Sequence, residues 1–152
     1  MTKFKLDHTD FSKQVNVFID QFELDVNQAI RWIALDLFDK IISQTPVDEG
    51  TLRASWVLGV NRIPGNPGKG SGDSEASAQG KLSTAQAGDF IWIVNHMPYA
   101  KVIEYGEFPG QGPKTTASGY STQAPRGVVR ISVKRAADRF NRSMKKIGKK
   151  KK

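Results

Sequence analysis

The chain contains two histidines, His8 and His96, the first residues to weigh as catalysts or metal ligands. They are far apart in sequence, and neither belongs to a ligand-spaced pair. A catalytic histidine needs a positioned partner; His96 falls in a turn after a strand-like run, where a surface role is expected. Asp48 and Glu49 are adjacent, so on most backbones they point apart, whereas a paired-carboxylate mechanism needs both groups facing one bond. The glycines of PGNPGKGSG lack the GxxxxGK[ST] spacing of a phosphate loop, and no strand runs directly into a helix there. There is no cysteine, which excludes disulfides and thiolate metal sites. These residues do not support catalysis, and no cofactor is expected.

Positive charge is more prominent. Lys and Arg number 23 against 15 Asp and Glu, a formal net charge of +8. Arg126, Arg130, Lys134, Arg135, Arg139, Arg142, Lys145 and Lys146 recur at spacings of three and four, and the chain ends in RSMKKIGKKKK. Such a face would track phosphates, with Arg139, Arg142, Lys145, Lys146, Lys149 and Lys150 as the polyanion contacts. The plainer reading is a solvated helical face that ends in a frayed terminus. No zinc finger, helix-turn-helix signature or aromatic sheet motif accompanies the charge. A small basic DNA-binding protein is therefore the second functional reading.

The elements that must carry these residues follow from periodicity. At 152 residues, 38% of them hydrophobic, the chain has the size and apolar content of one domain with a core. The expected division is a single domain over 1–148 and a basic tail over 149–152. Phe11, Val15, Phe18, Phe22, Val26, Ala29, Ile33, Leu37 and Ile41 advance by threes and fours, widened by Ile19, Ile30, Ala34, Phe38 and Ile42. That is one long amphipathic helix, or two joined by a bend around Leu24 to Asn27. Thr9, Asp10 or Ser12 can cap its start, and Pro46 ends it by forcing the preceding residue out of the α region. Residues 56–60 and 89–95 read as strands forming an antiparallel hairpin. Residues 62–88 and 109–123 are rich in Gly, Pro and Ser and read as two long flexible loops. A short helix opens near Pro98 and stops at Gly106. A last helix begins near Val128 or Val129, although GVVRISV also alternates well enough for a strand. The fold class is α+β: an antiparallel sheet flanked by a long N-terminal and a C-terminal helix. No apolar run is long enough for a membrane span or a signal peptide.

Between the first helix and the first strand lies TPVDEGTLRASW, Thr45 to Trp56. Pro46 stops the helix. Asp48 can accept from the N–H groups of Gly50 and Thr51, and Gly50 permits a left-handed backbone. Leu52 and Trp56 are expected to anchor the turn in the core. Arg53 is the natural fork for Glu104, which arrives on a later segment.

TPVDEGTLRASW, then NHMPYAKVIEYG with Pro98, Tyr99, Glu104, Tyr105 and Gly106, then APRGVVR with Pro125 and Arg126, resemble three signature segments of a family. It is that of tailed-bacteriophage neck and tail-completion proteins, also described as head–tail joining or minor tail components. The resemblance runs from about Gln28 to Phe140. Glu49 stands where the family commonly has threonine, and the basic end after Ile147 is no part of the pattern. The resemblance implies a non-enzymatic virion structural protein whose subunits form a ring, a hexamer, at the neck or tail end. Its implied neighbours are the connector or head-completion protein on one side and the tail terminator or tail tube protein on the other. Non-specific contact with genomic DNA in the lumen, no membrane partner, and residence in the host cytoplasm during assembly complete the expectation.

Overall fold

A computed structural model describes residues 13, 15–17, 20, 25–110 and 112–150, with side chains for all of these except 140 and 143–150. His8 and the start-capping candidates Thr9, Asp10 and Ser12 lie outside the described residues, as do Phe11, Phe18 and Phe22. The described residues between 13 and 20 are helical. A new helix, α1 (Val26–Gln44), then starts at Asp25, whose backbone is extended and whose carboxylate accepts from Gln28 N–H at 2.8 Å. Of the two expected arrangements, the interrupted one is found, with the break at Asp25. α1 ends where Pro46 requires: Thr45 is extended, and its N–H closes the last turn on Ile41 and Ile42 carbonyls.

α1 buries Ala29, Ala34, Phe38 and Ile41. Beyond a single turn of 3-10 helix (Arg53–Ser55), strand β1 (Trp56–Val60) pairs antiparallel with β2 (Ile91–Asn95), Leu58 opposite Ile93. Trp56, Leu58, Val60, Ile91 and Ile93 share the inner face and join the core with α1. Burying such a side chain contributes roughly 1.5–3 kcal/mol each, so this cluster dominates stability.

The connection between the strands is not the open loop its composition suggests. It contains α2 (Glu75–Leu82), capped by Ser74 Oγ accepting from Ser77 N–H at 3.1 Å. Ala78, Leu82 and Ala85 are buried against α1 and β1. Arg31 Nε donates to Ala85 O, and Ala87 N–H donates to Asn27 Oδ1. Small residues carry this packing, so little hydrophobic periodicity marked it. The expected open loop over 62–88 thus holds a helix packed on the core.

Helix α3 (Ala100–Tyr105) follows β2 and ends at Gly106, whose φ of 70° is the left-handed cap expected of it. Residues 109–110 and 112–123 form turns and isolated bridges, among them Thr115 with Ser121. Helix α4 (Val129–Lys150) begins as a helix, not a strand, and lies against α1 through Arg135 to Gln44 and Arg139 to Asp36.

Candidate assembly surface

The corner after α1 is built from main-chain groups left over at a helix end. The last carbonyls of a helix have no partner within it. Arg53 supplies one: its Nε and Nη2 donate to Thr45 O at 3.2 and 2.9 Å, and Nη2 also donates to Ser43 O. A guanidinium there also suits the negative end of the helix dipole. The expected Arg53–Glu104 pair is therefore not formed within the chain. Thr45 is a hub that sequence reasoning overlooked. Its hydroxyl donates to Ile41 O at 2.7 Å and accepts from Trp56 Nε1 at 2.8 Å, tying the first strand to the helix end. Trp56 and Leu52 are buried, as expected of anchors.

Gly50 has a φ of +80°, which confirms the turn. Asp48 does not cap that turn. The turn closes through main-chain bonds, Ala54 N–H to Gly50 O and Ser55 N–H to Leu52 O. The Asp48 carboxylate instead accepts from Lys114 Nζ at 3.2 Å in full solvent. Val47 is clamped on both main-chain groups by Gln123, whose side chain accepts from its N–H and donates to its carbonyl. The corner thus holds Val47, Asp48 and Glu49 outward on a fixed backbone.

Glu104 performs a different task. From α3 it caps the start of α4: Oε2 accepts from Val128 and Val129 N–H at 2.7 and 2.8 Å, and Oε1 accepts from Arg130 N–H and Nε, both at 3.0 Å. Burial opposes its ionisation, but bonds from the N–H groups of Arg130, Val128 and Val129 and from the guanidinium outweigh it, so its pKa falls below the ordinary value. Arg130 is held more firmly protonated, chiefly by Glu104, and its guanidinium sits 4.8 Å over the exposed Tyr105 ring. Pro98 and Tyr99 precede α3 on the surface, so Pro98 stands ahead of the first turn of the helix. Pro125 and Arg126 are exposed before α4.

A second latch, at Asp73, also went unread in the sequence. Asp73 Oδ2 accepts from Leu58 N–H at 2.8 Å and from Lys81 Nζ at 2.7 Å, while Lys81 also donates to Leu58 O. Asp73 N–H donates to Trp56 O. The outer edge of β1 is sealed by these groups. Burial again opposes the charge, and the bonds from Lys81, Ser77 and Leu58 lower the pKa of Asp73 regardless. Ser74 ahead of Ala78 and Leu82 was the available signal, a cap followed by an apolar i, i+4 step.

Among the described residues the opposite edge of the sheet is unpaired. Because Leu58 turns its N–H and carbonyl away from β2, its neighbour Ile93 turns both of its own away from β1, and the alternation extends this to Ile91. No described residue bonds to these outward groups. Phe90 and Trp92 stand exposed on the outer face beside them, 72% and 39% accessible. A strand edge without charges and with exposed aromatics is a surface made for pairing.

The basic face is partly spent inside the fold. Arg130 serves Glu104, and Arg139 lies 3.0 Å from Asp36. Arg142 is exposed, and the side chains of Lys145, Lys146, Lys149 and Lys150 lie outside the described ones. Among the described residues no group of His, Asp and Glu is arranged to hold a metal ion. His96 is exposed, with Nε2 2.9 Å from Pro64 O.

The corner, its Trp56 anchor and the α3 segment fall within residues 9–106. That stretch, well over half of the chain, matches the model of a family described as "Bacteriophage HK97-gp10, putative tail-component". The chain belongs to this family of bacteriophage tail components. Among curated proteins and among solved structures, nothing matches it. The family match accounts for the first two signature segments, TPVDEGTLRASW and NHMPYAKVIEYG; APRGVVR and α4 lie beyond it. Membership of a tail-component family points to a structural part of the virion and lends nothing to a DNA-binding protein. No described helix is long and apolar enough to cross a membrane.

Proposed function

We propose that this tail component forms a ring, a hexamer, at the head–tail junction. There it completes the tail and joins it to the connector on the head. The open edge of β2 supports the reading: outward main-chain groups of Ile91 and Ile93, with Phe90 and Trp92 beside them, fit a subunit that is finished only by its neighbours. The polar groups of the signature segments point the same way. Arg53, Thr45 and Glu104 are spent on helix ends, which is structural work. In this reading the protein acts without enzymatic activity or cofactor. The connector or head-completion protein abuts one face of the ring, and the tail terminator or tube abuts the other. The described part of the 109–123 segment, exposed along most of its length, is a surface on which such neighbours seat.

Imaging particles assembled without the protein tests the role. Full heads without tails beside free tails are the expected result. Normally joined particles would refute it.

A further inference from the structure

Beside Pro46 a recess of about 500 Å³ opens between the end of α1, residues 123–127 and the first turns of α4. It is lined by Arg53, Arg126 and Arg135, and by no aspartate or glutamate. Among the described residues, none of the three guanidiniums is paired with a carboxylate. Arg53 bonds carbonyls through Nε and Nη2, leaving Nη1 unspent; Arg135 donates to the neutral Gln44 Oε1 at 2.7 Å; Arg126 has no partner among the described residues. The N–H groups opening α4 add no anion site, because Glu104 already fills them. What remains is a concave cluster of guanidinium forks, whose natural ligand is a carboxylate. Pro46, Ala124, Pro125 and Ile131 add apolar wall for the methylenes of an acidic side chain.

We propose that this recess receives the acidic corner Asp48–Glu49 of a second copy of the chain, making one lateral contact of the ring proposed above, on which the inference rests. Three observations select this occupant. The corner carries two carboxylates in solvent, and the ion pair it makes with Lys114 is exposed at both ends and so is readily exchanged. Gln123 and Gly50 hold the corner in one conformation, which lowers the entropy cost of insertion. No ion pair joins the corner to the three arginines of its own chain, so the complementary charges meet between chains. The recess adjoins the corner at Pro46 and Gln123, and where each copy offers its corner to the recess of the next the contact is heterologous and closes into a ring when the rotation allows.

The four exposed residues Asp48, Glu49, Arg126 and Arg135 permit a charge-swap test. Asp48→Lys with Glu49→Lys, and separately Arg126→Glu with Arg135→Glu, should each lower the yield of joined particles by roughly 100-fold, as like charges now meet. All four changes in one chain should restore it, as should mixing the two double variants. The absence of native cysteine adds a direct readout. Asp48→Cys with Arg126→Cys, oxidised in assembled particles, should give a ladder of disulfide-linked multimers on a denaturing gel. Monomer alone on that gel would overturn the contact. So would normal particle yield from both reversals, while omission of the protein still blocks joining; the ring reading would then stand. If the arginine reversal blocks joining and the corner reversal does not, the recess takes the acid of another virion protein, and the proposal fails. Normal particles on omission would remove the reading beneath it instead.

Discussion

Of the three carboxylates in the signature segments, Glu104 and Asp48 have surroundings that could hardly differ more. Glu104 is nearly enclosed, accepts four donors from the start of α4 and holds α3 against that helix. Asp48 stands on a clamped corner with 84% of its side chain in solvent and one exposed lysine beside it. Both belong to stretches dense in Pro, Gly and charge. What separates them is the supply of main-chain N–H groups. α4 begins within reach of Glu104, and its unsatisfied donors capture the carboxylate. At the corner the turn closes on itself, so the carboxylate is released outward. One acid is consumed in making the fold, and the other is left in solvent.

Removing Glu104 should break that comparison most severely. Glu104→Ala strands three N–H groups at the start of α4 and the charge of Arg130, a loss of roughly 3 kcal/mol. Chemical denaturation should show it as a lowered midpoint. The same site gives acid sensitivity. The folded pKa of Glu104 lies below its ordinary value of 4.5, and that of Asp73 below 3.8. Each therefore contributes stability that is complete above the ordinary value and is lost as pH falls through the depressed one. Glu104→Gln should flatten the acid limb of a stability–pH curve below about pH 4.5. An unchanged limb would move the acid sensitivity elsewhere.

Gly127 sharpens the geometry of the same latch. Its φ is +79°, and a Cβ there would lie 2.5 Å from Glu104 O and 3.0 Å from Glu104 Oε2. Gly127→Ala should cost roughly 2 kcal/mol, combining backbone strain with displacement of the carboxylate. The midpoint should fall in step with the loss of the acid limb, because both act through one carboxylate.

The Asp73 latch is the intermediate case, since its partner Lys81 is 41% exposed and Asp73 itself is nearly enclosed. Asp73→Asn keeps an acceptor for Leu58 N–H and loses the charge. It should lower stability by about 1 kcal/mol. The more telling measurement is amide exchange at Leu58, which should quicken as the edge of β1 is unsealed.

Much of this architecture was legible in sequence because covalent constraints announce themselves. Pro46 ended α1, Gly106 ended α3, and the β-branched runs around Leu58 and Ile93 paired as expected. Packing by small residues was not legible. α2 buries Ala78 and Leu82, and the turn after it buries Ala85, too little apolar area to leave a strong period in a Gly/Ser-rich stretch. Charge partners were misread for another reason. Arg53 and Glu104 attract on paper, but each lies nearer a helix end whose carbonyls or N–H groups bind it first. Sequence records side chains, whereas these two answer to main-chain groups whose positions exist only after folding.

Asp48→Asn is the smallest change and the finest probe of the contrast. The Asp48–Lys114 pair is solvent-exposed at both ends, so its loss should shift the melting midpoint by an amount within ordinary surface variation, about 0.5 kcal/mol or less. If Asp48 serves the neighbouring subunit, the same change should still weaken subunit association several-fold, because a guanidinium fork loses one charged acceptor. Sedimentation across a concentration series, read beside a thermal melt, separates the two quantities. Stability lost without loss of association would make Asp48 a second Glu104. Association lost with stability intact would leave the two carboxylates at opposite ends of one division of labour.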